Sequence, residues 1–318
     1  MKKLFLLDAY ALIYRAYYAL IRAPRFTSKG FNTSAIFGFC TFRHEMYDQY
    51  KAQREAQPED ISAAVPIIKE IVKAYDIPIF EVPGYEADDV IGTLSRMASQ
   101  EGFTTYMMTP DKDYGQLVTD NVLMYKPSLR GQDFEIRGPK EVCEKYGIQS
   151  PTQVIDLLAL EGDSIDNIPG CPGVGPKTAS KLIGEFGSVE NLLDHASEIK
   201  GAVGRKIETN AEQIRFSKKL ATIRTDVPLD VDFNTLQRGP VDVESLRQIF
   251  TDLEFKTFIA RLSAMAGPNI KAPKAVTSEA VTTDNSADKA GAQEKSGAKK
   301  EEKASGKFAG QPSLFDFM

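Results

Sequence analysis

The sequence is poor in the residues that build most compact polar sites. Its 318 residues include three cysteines, Cys40, Cys143 and Cys171, and two histidines, His44 and His195. The cysteines are odd in number, far apart and never spaced C-x-x-C, which excludes a disulfide framework or a thiolate zinc site and fits a reducing cytoplasm. With two histidines, a His-rich metal centre or a Ser/His/Asp triad has little to build on. No apolar run approaches the ~18 residues of a membrane span. The opening MKKLFLL leads straight into polar residues and reads as a first strand rather than a secretory leader, so a soluble chain is expected. Any polar chemistry must rest on carboxylates.

What is present begins with apolar residues at 42% of the chain, enough for a real core in one large domain or two smaller ones. The net charge of −5 would argue against a polyanionic partner if it were evenly spread. It is not. Between Lys200 and Arg224, seven Lys/Arg face two Glu, a local charge of +5. A solvated helix face is the plainer reading of that run until a partner motif stands beside it.

Along the chain, Lys3–Leu7 is a short apolar run ending at Asp8, TTYMMT repeats the pattern before Asp111, and IPIFEV before Gly84 reads as a third such strand. Between them lie helical periods, with Val65, Ile68, Ile71, Val72 and Tyr75 on one face and Val90, Leu94, Met97 and Ala98 on another. Alternating strand and helix predict a parallel α/β sheet. After about Ser150 the strands stop and short helices punctuated by Gly and Pro run to about Leu262. From Ala266 to Gly310 the composition collapses to Ala, Lys, Glu, Ser and Gly, which predicts a disordered tail. No internal repeat is visible.

Acids gather at the predicted strand ends and helix starts: Asp8; Glu86, Asp88 and Asp89; Asp111 and Asp113; Asp163 and Asp166. Ligands of open parallel sheets lie beyond the carboxyl ends of the strands, where Asp8 and Asp111 fall. Each acid alone suits a cap or a turn. Eight converging at one sheet edge would repel unless cations sit among them. Oxygen ligands without His or Cys select Mg²⁺ or Mn²⁺, and two such ions can clamp the oxygens of a phosphodiester while activating a water. The chemistry this suggests is metal-assisted phosphodiester hydrolysis.

The stretch GDSIDNIPGCPGVGPKTASKL adds an anion grip. Gly170, Gly173 and Gly175 let backbone approach a phosphate, and Lys177 and Lys181 add charge, in the shape of a helix-hairpin-helix. Gly-rich turns also serve as plain helix ends, but here the acids precede the turn and the basic run follows it.

Taken in order, LLDAYALIYRAYYAL, TFRHEMYDQYKAQR, VPGYEADDVIGTL, TPDKDYGQLV and GDSIDNIPGCPGVGPKTASKL resemble the motifs of the 5′ to 3′ exonuclease (flap endonuclease) family, known as the N-terminal domain of bacterial DNA polymerase I. The resemblance covers about Lys3 to Leu262. It implies a PIN-like parallel α/β sheet with helices on both faces over 1–150, with a helical arch region at about 41–60. A helix-hairpin-helix all-α DNA-binding subdomain over 151–263 and a tail over 264–318 would follow. The implied activity is a structure-specific 5′ exonuclease and flap endonuclease of DNA replication and repair, working with two Mg²⁺ or Mn²⁺ ions in the bacterial cytoplasm at the nucleoid. Asp8, Glu86, Asp88, Asp111, Asp113, Asp163 and Asp166 match family metal ligands, and Asp89 the acid beside them. Arg15, Lys51 and Arg54 match basic residues at the scissile phosphate. Gly173, Gly175, Lys177, Thr178 and Lys181 match the DNA grip. Tyr14 and Tyr17 could stack on a frayed base, with core packing as the alternative for at least one.

The resemblance breaks at SAIFGFCTFRHE. In the family a helix continues here and a second strand follows, ending in another ligand Asp; in this chain Cys40 is followed directly by Thr41. A helix-plus-strand unit is absent, so a non-cleaving DNA-binding module is the competing reading. A phosphatase with a D-x-D nucleophile fits poorly, because Asp8 is followed by Ala9 and Tyr10. At the end, QPSLFDFM resembles the short peptides that dock on the sliding clamp, with Gln311, Leu314 and Phe315 in the matching places; a linker into further polymerase domains is the alternative.

Overall fold

The computed structural model describes residues 2–41, 57–127, 134–164 and 166–265 of the chain. Its centre is a sheet of four strands in the order β1-β2-β3-β4: β1 (Lys2–Leu7), β2 (Phe103–Met108), β3 (Val122–Pro127) and β4 (Phe134–Arg137). β1, β2 and β3 run parallel, Leu4 opposite Thr105 and Thr105 opposite Val122, while β4 folds back antiparallel on β3. That final hairpin was not foreseen from sequence.

Twelve α-helices are seen among the described residues. The first five belong with the strands: α1 (Ala9–Ala19), α2 (Ser34–Thr41), α3 (Glu59–Ala74), α4 (Ala87–Gln100) and α5 (Pro139–Tyr146). Then come α6 (Val154–Glu161), α7 (Pro176–Phe186), α8 (Val189–Asp194), α9 (Ala202–Thr209), α10 (Ala211–Ala221), α11 (Val243–Asp252) and α12 (Lys256–Met265). Their starts are written in side chains. Asp8 caps α1 by accepting from Ala11 N–H at 3.0 Å, Ser188 caps α8, Asp242 caps α11, and Glu86 with Asp89 forms a capping box on α4.

Side-chain alternation along β1 sends Leu4 and Leu6 to one face, where they join Leu94 of α4, Met107 and Met124. The same core runs on without a break into the helical part through Leu158, Ile183, Leu192, Ile207 and Ile214. A second core is formed by Ile36, Ile61, Ile68, Ile71, Phe250 and Phe258, so α11 and α12 return to pack with α2 and α3 rather than with the other late helices. On the opposite face of the sheet Phe5 stacks on Tyr106 at 5.0 Å and meets Tyr125 edge-on, and Phe5 remains 45% exposed.

One sequence expectation fails. The run Ile77–Val82 is not a strand; it follows α3 as irregular chain, with Ile79 exposed. A strand is defined by its neighbours, and the sheet places β1 at its edge with nothing described on its outer side for this run to pair with.

Candidate metal centre and phosphate grip

Strand β1 delivers Asp8 at its carboxyl end, and β2 delivers Asp111 and Asp113 one turn beyond its own. Asp8 is buried, and its Oδ2 accepts hydrogen bonds from Tyr114 Oη at 2.9 Å and Thr109 Oγ1 at 3.2 Å. Burial pushes its carboxyl up from the usual range, and Asp111 adds to the push. Asp111 Oδ1 accepts from Asp113 N–H at 3.1 Å, which folds the two acids around one tight turn. Tyr114 and Thr109 flank these acids and were not singled out from sequence, although both lie in the same motif.

The start of α4 adds Glu86 and Asp88. Asp88 is pushed up to about 7 by burial first, then by Glu86, Asp89 and Asp111. From the helical part, the turn between α6 and α7 brings Asp163 and Asp166. Asp163 pairs its backbone with Ile168, and Asp166 N–H approaches Asp163 Oδ1 at 3.4 Å. This turn is closed by glycine: Gly162 and Gly170 lie back to back at positive φ, and a Cβ on Gly170 would stand 2.4 Å from Gly162 N.

Asp113, Asp163 and Asp166 offer ligand oxygens that all lie within 4.8 Å of one another. Asp113 is buried, and its Oδ1 has no hydrogen-bond partner among the described residues. Its carboxyl is pushed up to about 7 by burial and then by Asp111, Asp163 and Asp166, with Lys112 opposing. A buried orphan oxygen inside an all-carboxylate group suits a hard divalent cation, which would take the oxygen and cancel the repulsion. Lys112 Nζ, 2.7 Å from Asp163 Oδ2, is the cation the chain itself supplies there.

Six of the eight predicted acids, Asp8, Asp88, Asp111, Asp113, Asp163 and Asp166, thus form one chain of mutually interacting groups centred on Asp111. Glu86, exposed, joins it through Asp88. Asp89 also acts on Asp88 and makes a further contact. Its Oδ1 accepts from Arg224 N–H at 2.7 Å and its Oδ2 lies 3.4 Å from Glu86 N–H, so it joins α4 to the segment after α10. Gln116 repeats that joint, bonding Ala221 O at 2.9 Å and Ile223 N–H at 2.9 Å.

Arg15 projects from α1 with Nη2 buried and without a partner among the described residues. Tyr14 and Tyr17 are half-buried on the same helix, Tyr17 Oη lying 3.5 Å from Asp60 Oδ2. Lys51 and Arg54 fall outside the described residues. At the expected phosphate grip, Gly173 has φ +75° and Gly175 stands at the N-terminus of α7 with Pro176 next. Lys177 and Lys181 are exposed and Thr178 half-buried. The structure adds Lys206, whose Nζ rests against Gly173 where a Cβ would go.

The raised carboxyls of Asp88 and Asp113 set a pH dependence. The folded chain holds these protons more tightly than the unfolded chain, so folding stability in chelator falls as pH rises from about 4 to about 7 and then levels. Millimolar Mg²⁺ is expected to abolish that fall, since the ion favours the deprotonated acids. Thermal melts at pH 5 and pH 8, in Mg²⁺ and in chelator, check it; parallel curves in both would contradict the assignment.

Comparison with known proteins follows the same outline. Residues 39–147 match the family described as 5′-3′ exonuclease, N-terminal resolvase-like domain, and residues 149–244 match 5′-3′ exonuclease, C-terminal SAM fold. A 5′-3′ exonuclease of Aquifex aeolicus is 37% identical over 283 positions, covering 81% of this chain and 94% of that protein. The thermostable DNA polymerase I of Thermus filiformis is 38% identical over 298 positions, covering 86% of this chain but 35% of the polymerase, so the chain spans about a third of that relative. In the Aquifex alignment 81% of 318 residues is about 258, so about 25 of the 283 positions face gaps in this chain. The Thermus alignment leaves a surplus of the same size. In fold, the chain resembles the phage T5 5′-exonuclease solved with bound zinc, with a TM-score of 0.55 at 21% identity over 82% of this chain and 99% of that one.

Proposed function

The chain belongs to the 5′-3′ exonuclease family, and from that premise we propose that it is a structure-specific 5′ nuclease acting on DNA with a 5′ flap or 5′ end, in replication and repair, as the N-terminal part of a DNA polymerase I. The observation that carries the reading is the convergence of acids from β1, α4, the turn after β2 and the turn after α6 on one centre beside a Gly-rich grip. Two Mg²⁺ ions, or Mn²⁺, held by Asp113, Asp163 and Asp166 on one side and by Asp8, Glu86, Asp88 and Asp111 on the other, would supply an activated water and neutralise the charge developing on the phosphate.

The chain's own residues do the rest. Tyr114 and Thr109 hold Asp8 by one oxygen, fixing the orientation of a carboxylate that must meet an ion. The unpartnered guanidinium nitrogen of Arg15 is a donor ready for a phosphate oxygen; Lys51 and Arg54 are assigned beside it by their motif. Tyr14 offers a ring for a base. Gly173, Gly175, Lys177, Thr178 and Lys181, with Lys206 leaning in, grip the backbone of the duplex without reading its bases. Gln311, Leu314 and Phe315, outside the described residues, are proposed to dock on a sliding clamp.

A second reading modifies the first: cleavage is weakened because a helix–strand unit is missing after Cys40. It is favoured by the outer edge of β1, unpaired among the described residues, by the run Ile77–Val82 lying outside any strand, and by the alignment surplus of about 25 positions. A strand between the two would give each its partner.

The proposal is tested with a fluorescent 5′-flap duplex. We expect binding in Ca²⁺ and slow cleavage in Mg²⁺. In the pair Lys177→Ala and Lys181→Ala, affinity should fall about tenfold and the salt slope by about 2, with Mg²⁺ uptake unchanged. A chain that neither binds nor cuts flap DNA would overturn it.

A further inference from the structure

Lys112 is a cation built into the acidic centre. It stands between Asp111 and Asp113 in sequence, and its Nζ lies 2.7 Å from Asp163 Oδ2, on a carboxylate only 4% exposed. Its own side chain is 42% exposed, so the stem enters from the solvent side. Asp163 is also one of the three acids whose oxygens lie within 4.8 Å of one another. Asp113 and Glu161 act on the same ammonium. One carboxylate therefore serves two purposes that conflict: it anchors an ammonium, and it belongs to the group best placed to hold a divalent ion.

We propose that Lys112 is a tethered counter-ion that competes with the divalent metal for Asp163 and thereby sets the metal affinity of the Asp113–Asp163–Asp166 site. The inference rests on the metal reading above. An ammonium and a divalent ion held by one carboxylate stand within a few ångströms of each other and repel. Lysine is suited to yielding, because its charge is a point on a flexible four-carbon stem and can swing away with no movement of the backbone. Until it yields, it keeps the buried Asp163 paired, so the turn between α6 and α7 does not carry a bare charge. Arginine in its place would fork both carboxylate oxygens and yield less readily.

The test measures Mn²⁺ uptake by calorimetry with no DNA present, so it does not depend on cleavage. Lys112→Met keeps the bulk of the stem and removes the charge; it is expected to bind Mn²⁺ about tenfold tighter at one site than the unaltered chain. Lys112→Arg is expected to bind severalfold more weakly and, because it keeps the ion pair, it tests the idea even if Lys112→Met fails to fold. Equal affinity across the unaltered chain and Lys112→Arg, or weaker binding in a folded Lys112→Met, overturns the competition while leaving the metal site standing. No Mn²⁺ uptake by the unaltered chain or either variant overturns the metal reading and this inference together.

Discussion

Insertion of a helix–strand unit of about 25 residues between Cys40 and Thr41 is expected to raise Mg²⁺-dependent flap cleavage by about 100-fold, the scale on which a lost metal-site partner is felt. That length suits one helix of about 12 residues, one strand of about 6 and two short turns. The structure shows where it would matter. Among the described residues β1 has no neighbour on its outer side, although it carries Asp8 into the centre of the acids. Phe5, on that same strand, is 45% exposed. Covering such side chains stabilises by roughly 1.5–3 kcal/mol each when burial is complete. The extended chain should therefore melt higher as well as cut faster. Rates within twofold of each other, from two folded proteins, would show that the centre is complete without the unit.

Gly170→Ala should cost about 3 kcal/mol of stability. Gly170 has φ +61°, where a side chain costs about 1–2 kcal/mol. Its added Cβ would meet Gly162 N at 2.4 Å and Glu161 C at 2.7 Å, both backbone atoms that no rotamer change can move aside. The turn is also tied down from α10: Gly170 N–H donates to Ser217 Oγ at 3.0 Å, and its carbonyl accepts from Gln213 Nε2 at 2.6 Å. Relief of the clash would break these bonds and displace Asp163 and Asp166 together. Gly184, in the exposed face of α7 with nothing within 4 Å, is the contrast. Gly184→Ala should gain about 0.5–1 kcal/mol from helix propensity alone. Denaturant unfolding of both variants checks the pair; a Gly170→Ala protein as stable as the parent would mean the turn is loose.

The parts of the molecule that were legible in sequence are those fixed by local pattern. Strands β1 and β2 appear as apolar runs ending in Asp, α3 and α4 as helical periods, and the α6–α7 turn as spaced glycines. The acids could be placed at one edge because parallel strands share a carboxyl end. The parts that were not legible depend on distant partners. Ile77–Val82 has a strand's composition, but a strand also requires a neighbour to pair with. The hydrogen bond from Arg224 N–H to Asp89 could not be read either, because Arg224 lies far along the chain. Lys112 was invisible because its partner Asp163 arrives from another turn. The β3–β4 hairpin left a usable signal, the alternation in FEIR after a polar stretch, which is the pattern of a half-exposed edge strand.

The apolar core runs from Leu4 and Leu94 through to Ile183 and Ile214 without a gap, and Asp89, Gln116 and Thr93 stitch the segment 221–227 onto the sheet side. The changeover near Ser150 thus marks where strands end, not where cooperativity ends. Severing the chain there would strip apolar cover from both fragments at once, so heating should dismantle the two halves in a single step.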